Sequence, residues 1–210
     1  LLKEKNNVAL SIGPEVYLKY ESKEIDNFLF PLSGKSNSNT INCNELGYYS
    51  FYESDRHGFN NPDKVWDENE IEFLLLGDSF VLGSCVNRPD DIASIFRRLS
   101  EKNVLNLGNG SNGPLSEKAT LHEYANKKIN NIIWFFYEHN DLADLKNELN
   151  SNILKKYFNS DNFSQNLINR QNEIDKIYNI IINDASKKYI QESKKNKILK
   201  FFESKKKIYN

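Results

Sequence analysis

Three short apolar runs, each cut off by turn residues, limit what this chain can fold into. Residues 71–76 (Ile-Glu-Phe-Leu-Leu-Leu) end in Gly77-Asp78-Ser79. Residues 104–107 end in Gly108-Asn109-Gly110-Ser111-Asn112-Gly113, and residues 132–136 end in Tyr137-Glu138-His139-Asn140-Asp141. Runs this short and apolar, bounded by turn residues, read as buried strands. Two helical patterns lie between them. Pro89-Asp90-Asp91 suits a helix first turn, and Ile92, Ile95, Phe96 and Leu99 then share one face. Asn112 or Gly113 caps a second helix begun by Pro114 and carrying Leu115, Ala119 and Tyr124. The order βαβαβ predicts a parallel sheet with right-handed crossovers, its three carboxyl-end turns on one edge. That edge is where open α/β sheets place ligands.

The 210 residues are enough for one sizeable core, and 39% hydrophobic against 27% charged residues describes a globular chain. A net charge of −1 gives no general attraction for nucleic acid. No apolar run approaches the roughly 18 residues of a membrane span, and no signal peptide is visible. The chain begins at Leu1 and contains no methionine, and it reads as trimmed or partial. Its expected location is the cell envelope or periplasm if an upstream signal or anchor was removed, and the cytoplasm otherwise. Residues 187–207 are rich in lysine, which reads first as a solvated helix face and second as a binding patch.

Elsewhere the patterns are weaker. Residues 16–18 fit a short helix ending near Tyr20, residues 33–44 read as loop, and residues 48–51 as a short strand. Residues 58–62 form a turn, with Asn60-Asn61-Pro62 extended before the proline. Residues 142–158 and 167–189 carry amphipathic helical spacing, and the last twenty are expected to fray. The expected organisation is an N-terminal extension over residues 1–65, an α/β core over 66–160 and a helical, lysine-rich segment over 161–210. Cys43 and Cys85 are either two buried thiols or one disulfide; as a disulfide they stabilise by roughly 4 kcal/mol through loop closure. Neither cysteine has a His or Cys at metal-ligand spacing, and no metal or other cofactor is expected.

A serine in a tight turn past a strand is nucleophilic only when a base takes its proton. Gly77-Asp78-Ser79 alone is ordinary turn chemistry. Together with the Asn106–Pro114 and Tyr137–Asp141 segments, however, it resembles the SGNH hydrolases, also called GDSL esterases and lipases, over roughly residues 40–150. Cys43-Asn44-Glu45 and Asp55-Arg56-His57-Gly58-Phe59-Asn60-Asn61-Pro62 are similar to segments of a bacterial group within that superfamily. The resemblance implies a three-layer α/β/α, flavodoxin-like parallel sheet, incomplete at its C-terminus. It makes Ser79 the nucleophile, with an oxyanion hole formed by the Ser79 N–H, the backbone near Gly110 and Ser111, and the Asn140 side chain. Ser111 stands where the family has a glycine, and Glu138 stands where a glycine precedes the Asn-Asp pair. Asp78 and Asp141 are expected to hold the loops rather than react.

The family's Asp-x-x-His segment, which supplies the base, is missing: His57, His122 and His139 have no carboxylate three residues before them. His57 is expected to face solvent, and His122 to lie on the surface or in packing. His139 is the nearest substitute base, although neighbouring side chains on extended backbone point apart. The simpler expectation is that the chain stops before that segment, and the third is a degenerate, non-catalytic relative. The implied activity is hydrolysis of a small-molecule or carbohydrate ester, or O-acyl transfer. Two rivals remain: a non-catalytic module of the same fold, and a nucleotide-binding protein with Asn109 to Gly113 as its phosphate loop. The second lacks both the dinucleotide glycine spacing and a Walker lysine.

Overall fold

The computed structural model describes residues 8–21, 28–45 and 47–206, with side chains described as far as 189 and at 191. The fold is mixed α/β, and its central feature is a three-stranded parallel sheet in the order β5-β4-β6. These strands are β4 (Glu70–Leu76), β5 (Val104–Asn106) and β6 (Lys128–Trp134). β4 lies in the middle because it is the most apolar: Ile71, Leu74, Leu75 and Leu76 are all buried. Phe73 pairs in register with Val104 on one side and Asn131 on the other. All three carboxyl ends therefore lie on one edge.

Side chains alternate across a strand, and both faces of this sheet are used. On one face Phe73, Leu75, Ile133 and Phe135 pack with Val81, Ala93, Ile92 and Phe96, where α3 (Ile92–Ser100) crosses. On the other, Trp134 donates its indole N–H to Glu117 of α4 (Pro114–Tyr124) at 2.7 Å. The expected α3 face needs a correction. Leu99 is 77% exposed, and Ala93 takes the buried position. Pro89 also lies outside the helix, after a cis peptide bond, and Asp91 is the cap, accepting from the Ser94 N–H at 3.0 Å.

A second sheet contains β1 (Val8–Leu10), β2 (Asn39–Cys43) and β3 (Ser50–Glu53), with α1 (Pro14–Glu21) following β1. β1 runs parallel to β2, and β2 antiparallel to β3. Residues 33–44 were expected to be loop, yet they contain this central strand. Asn-Thr-Ile-Asn-Cys has no apolar alternation, so only pairing on both edges makes it a strand.

The helical pattern over 142–158 divides into α5 (Asp141–Glu148) and α6 (Asn152–Asn159). The break falls at Ser151, whose hydroxyl caps α6 by accepting from the Leu154 N–H at 2.9 Å. Glu123 of α4 ties the segment after α6 to the core. Its carboxylate accepts from Tyr157 Oη, Ser164 Oγ and the backbone of Gln165 and Leu167, at 2.5–2.8 Å.

α7 (Gln171–Lys206) stays helical through a stretch expected to fray. Most side chains of the lysine-rich tail fall outside the described residues. Two compact units are distinguished, one ending at Ile174 and one beginning at Asp175. No helix among the described residues is long and apolar enough to cross a membrane.

Candidate active site

The turn after β4 is fixed by close approach. A Cβ on Gly77 would stand 2.6 Å from Val81 Cγ2 and 3.0 Å from the Phe135 carbonyl oxygen. The chain then enters α2 (Ser79–Leu82), a single helical turn. Asp78 caps it, its Oδ1 accepting from the Phe80 N–H at 3.0 Å. Ser79, half-buried, begins the turn, and its hydroxyl points to Asp78 Oδ2 at a long 3.5 Å.

The loop after β5 packs directly on α2. A Cβ on Gly108 would stand 2.5 Å from the Leu82 nitrogen. The Asn109 N–H donates to the Gly77 carbonyl at 3.3 Å, which binds this loop to the serine turn. Ser111 has φ 59, the left-handed region that glycine enters without cost and serine does not. Among the described residues, no backbone hydrogen bond takes the N–H of Gly110 or Ser111.

Asn140, ahead of α5, donates its side-chain amide to Asp78 Oδ2 at 3.2 Å and to Asp144 Oδ2 at 3.4 Å. Ser79 Oγ and Asn140 Nδ2 therefore meet at one carboxylate oxygen. Asp141 closes the turn before α5: its Oδ2 accepts from the Tyr137 N–H at 2.6 Å, and its own N–H donates to the Tyr137 carbonyl. Burial pushes the Asp141 carboxyl above its ordinary range. Desolvation does the same to Asp144, with the charge of Asp141 adding to it.

The histidines lie elsewhere. His57 was expected to face solvent but is half-buried, 4.5 Å from the Trp66 ring and 5.9 Å from Tyr124. Burial and then the Arg56 charge lower its pKa to about 4. His122 packs against Tyr157, and His139 is exposed beside Tyr137 at 5.8 Å. Among the described residues Asp78 is the only hydrogen-bond partner of the Ser79 hydroxyl. No group of three or more described His, Cys, Asp or Glu side chains is placed to hold a metal ion.

Cys43 and Cys85 form a disulfide, with Cα atoms 5.1 Å apart. It joins the end of β2 to the loop after α2, where Asn42 also donates to the Gly83 carbonyl at 3.4 Å. Two carboxylates near the site were not singled out from the sequence. Glu148 caps α4, accepting from the N–H groups of Gly113, Leu115 and Ser116 at 2.8–3.2 Å. Glu117 is buried, and desolvation raises its pKa to about 8. Comparison with known protein families, curated proteins and solved structures finds no match to this chain.

Proposed function

We propose that this chain is a serine ester hydrolase of SGNH type on a flavodoxin-like core, with Ser79 as nucleophile. The observation that carries the reading is the meeting of Ser79 Oγ and Asn140 Nδ2 at Asp78 Oδ2, on the carboxyl edge of a parallel sheet. The backbone at Ser111 adds to it. The family has a glycine there, and the serine adopts the conformation that a glycine would favour.

In this reading Ser79 Oγ attacks the ester carbonyl. The N–H groups of Ser79, Gly110 and Ser111 and the Asn140 amide hold the oxyanion as it forms. Asp78 holds the site rather than taking the proton, since its oxygen is 3.5 Å away on the neighbouring residue and is shared with Asn140. His139, exposed beside Tyr137, is the described histidine nearest the Asn140 end of the site in sequence and takes the proton in this reading. Phe80 is 58% exposed, and its ring lies 5.7 Å from exposed Tyr137, giving an aromatic surface where an acyl group or a sugar ring can rest.

The positions of the three histidines favour a second reading, a module that keeps this edge without catalysis. Labelling by a fluorophosphonate serine probe separates the two. Labelling that disappears in Ser79→Ala supports the hydrolase, and no labelling of the folded chain supports the module.

A further inference from the structure

α2 is one turn long, so most of its carbonyls have no partner within the helix. Two of them are taken by asparagine side chains. Asn106 Nδ2 donates to the Val81 carbonyl at 2.6 Å, and Asn60 Nδ2 to the Leu82 carbonyl at 2.8 Å. Asn106 also accepts the Gly108 N–H at 2.8 Å, so one side chain holds both the serine turn and the start of the Gly108–Ser111 loop.

Asn106 is held in turn by Asn61. The Asn61 amide accepts the Asn106 N–H at 2.9 Å and donates to the Asn106 carbonyl at 2.8 Å, as a neighbouring strand would. It thereby covers the outer edge of β5, where Arg97 also donates to the Val104 carbonyl. Asn61 is fixed by donating to Asp55 Oδ2 at 2.9 Å and by accepting from Arg97 at 2.6 Å. Asp55 is 1% exposed and accepts four bonds, from the His57 and Phe59 backbone, Asn61 and the Trp66 indole, at 2.7–3.0 Å.

We infer that Asp55, Asn61 and Asn106, joined by hydrogen bonds, and Asn60, joined to Asn61 through the chain, form one positioning network that sets the serine turn and the adjoining loop relative to each other. None of the four touches the reacting atoms. They act by fixing where the Ser79 hydroxyl and the Gly110–Ser111 amides stand, a geometry in which a shift of about 1 Å costs up to ~100-fold in rate. The network's role in catalysis rests on the hydrolase reading; its role in holding α2 does not.

The Asn60→Ala variant tests it, since among the described residues that side chain makes one hydrogen bond, to the Leu82 carbonyl. Two readouts are taken: the rate of fluorophosphonate labelling, and amide hydrogen exchange at Ser84, whose N–H donates to the Ser79 carbonyl, and at Leu107 in the sheet. Glu123→Gln, remote from α2, serves as a control for general destabilisation. The network predicts labelling slowed by ~10-fold or more, with exchange faster at Ser84 and unchanged at Leu107. Ser84 exchange equal to wild type, or raised no more than in Glu123→Gln, overturns the inference. Wild-type protein that resists labelling overturns the hydrolase reading instead, and the exchange comparison still decides the network.

Discussion

Two buried carboxylates on either side of the serine turn are treated in opposite ways. Asp55, on the scaffold side, has every lone pair committed to a donor. Burial still raises its pKa to about 6, with the four hydrogen bonds pulling the other way. Glu117, beneath the loops at the sheet edge, accepts among the described residues only the Trp134 indole, and its buried Oε1 has no partner among them. Asp141 Oδ1, Asn140 Oδ1 and both polar atoms of Asn112 are also buried with no hydrogen-bond partner among the described residues. A satisfied polar network fixes one geometry, and an unsatisfied one costs stability. The polar groups behind the serine turn are therefore matched to protein partners, and several beneath the loops that face it are not.

The largest effect is expected on the side behind the serine turn. Asp55→Ala leaves the Trp66 indole, the Asn61 amide and two backbone N–H groups without their acceptor, and should destabilise by about 3 kcal/mol or more. Urea denaturation measures this, and a loss below about 1 kcal/mol would erase the contrast. Next is the disulfide, which ties the same scaffold to the loop after α2. Replacing Cys43 and Cys85 together by serine should cost about 2–4 kcal/mol, read as a lower urea midpoint.

A change of opposite sign belongs to the side beneath the loops. The folded pKa of Glu117, about 8, exceeds its ordinary value of 4.5. The folded state therefore holds the proton more tightly, and this group's contribution is present below pH 4.5 and lost as pH rises toward 8. Glu117→Gln should be more stable than wild type at pH 8, with the difference vanishing near pH 4.5. Melting temperatures across that range test it, and equal pH profiles would contradict it. The smallest effect is expected at Leu99. It is 77% exposed, so Leu99→Ser should change stability by no more than about 0.5 kcal/mol.

The sheet and the turns at its carboxyl edge were legible because apolar runs and Gly-rich breaks are local signals. The course from Ile71 through Ser79 could be read without knowing what it packs against. The asparagines could not be read in this way. Asn60 and Asn61 look like turn residues, and their partners lie 22 and 45 positions away. Asn39 and Asn42 hid β2 for the same reason, since a polar strand is defined by its neighbours. Glu117 and Glu148 sit in helices where a carboxylate ordinarily faces water, and nothing local marks them as buried. His57 was assigned to solvent from its turn, while its surroundings are set by Trp66 and Tyr124.

In the proposed hydrolase, Ser79, the Gly110–Ser111 backbone and Asn140 surround one oxyanion position. A crystal structure of the chain with an alkyl boronate, a tetrahedral mimic of the acyl adduct, tests it most directly. Boron should be bonded to Ser79 Oγ. One boronate oxygen should lie about 2.7–3.1 Å from Asn140 Nδ2 and from the Gly110 or Ser111 nitrogen. A boronate on Ser79 with that oxygen turned to solvent, or crystals grown in boronate with Ser79 unmodified, would contradict it.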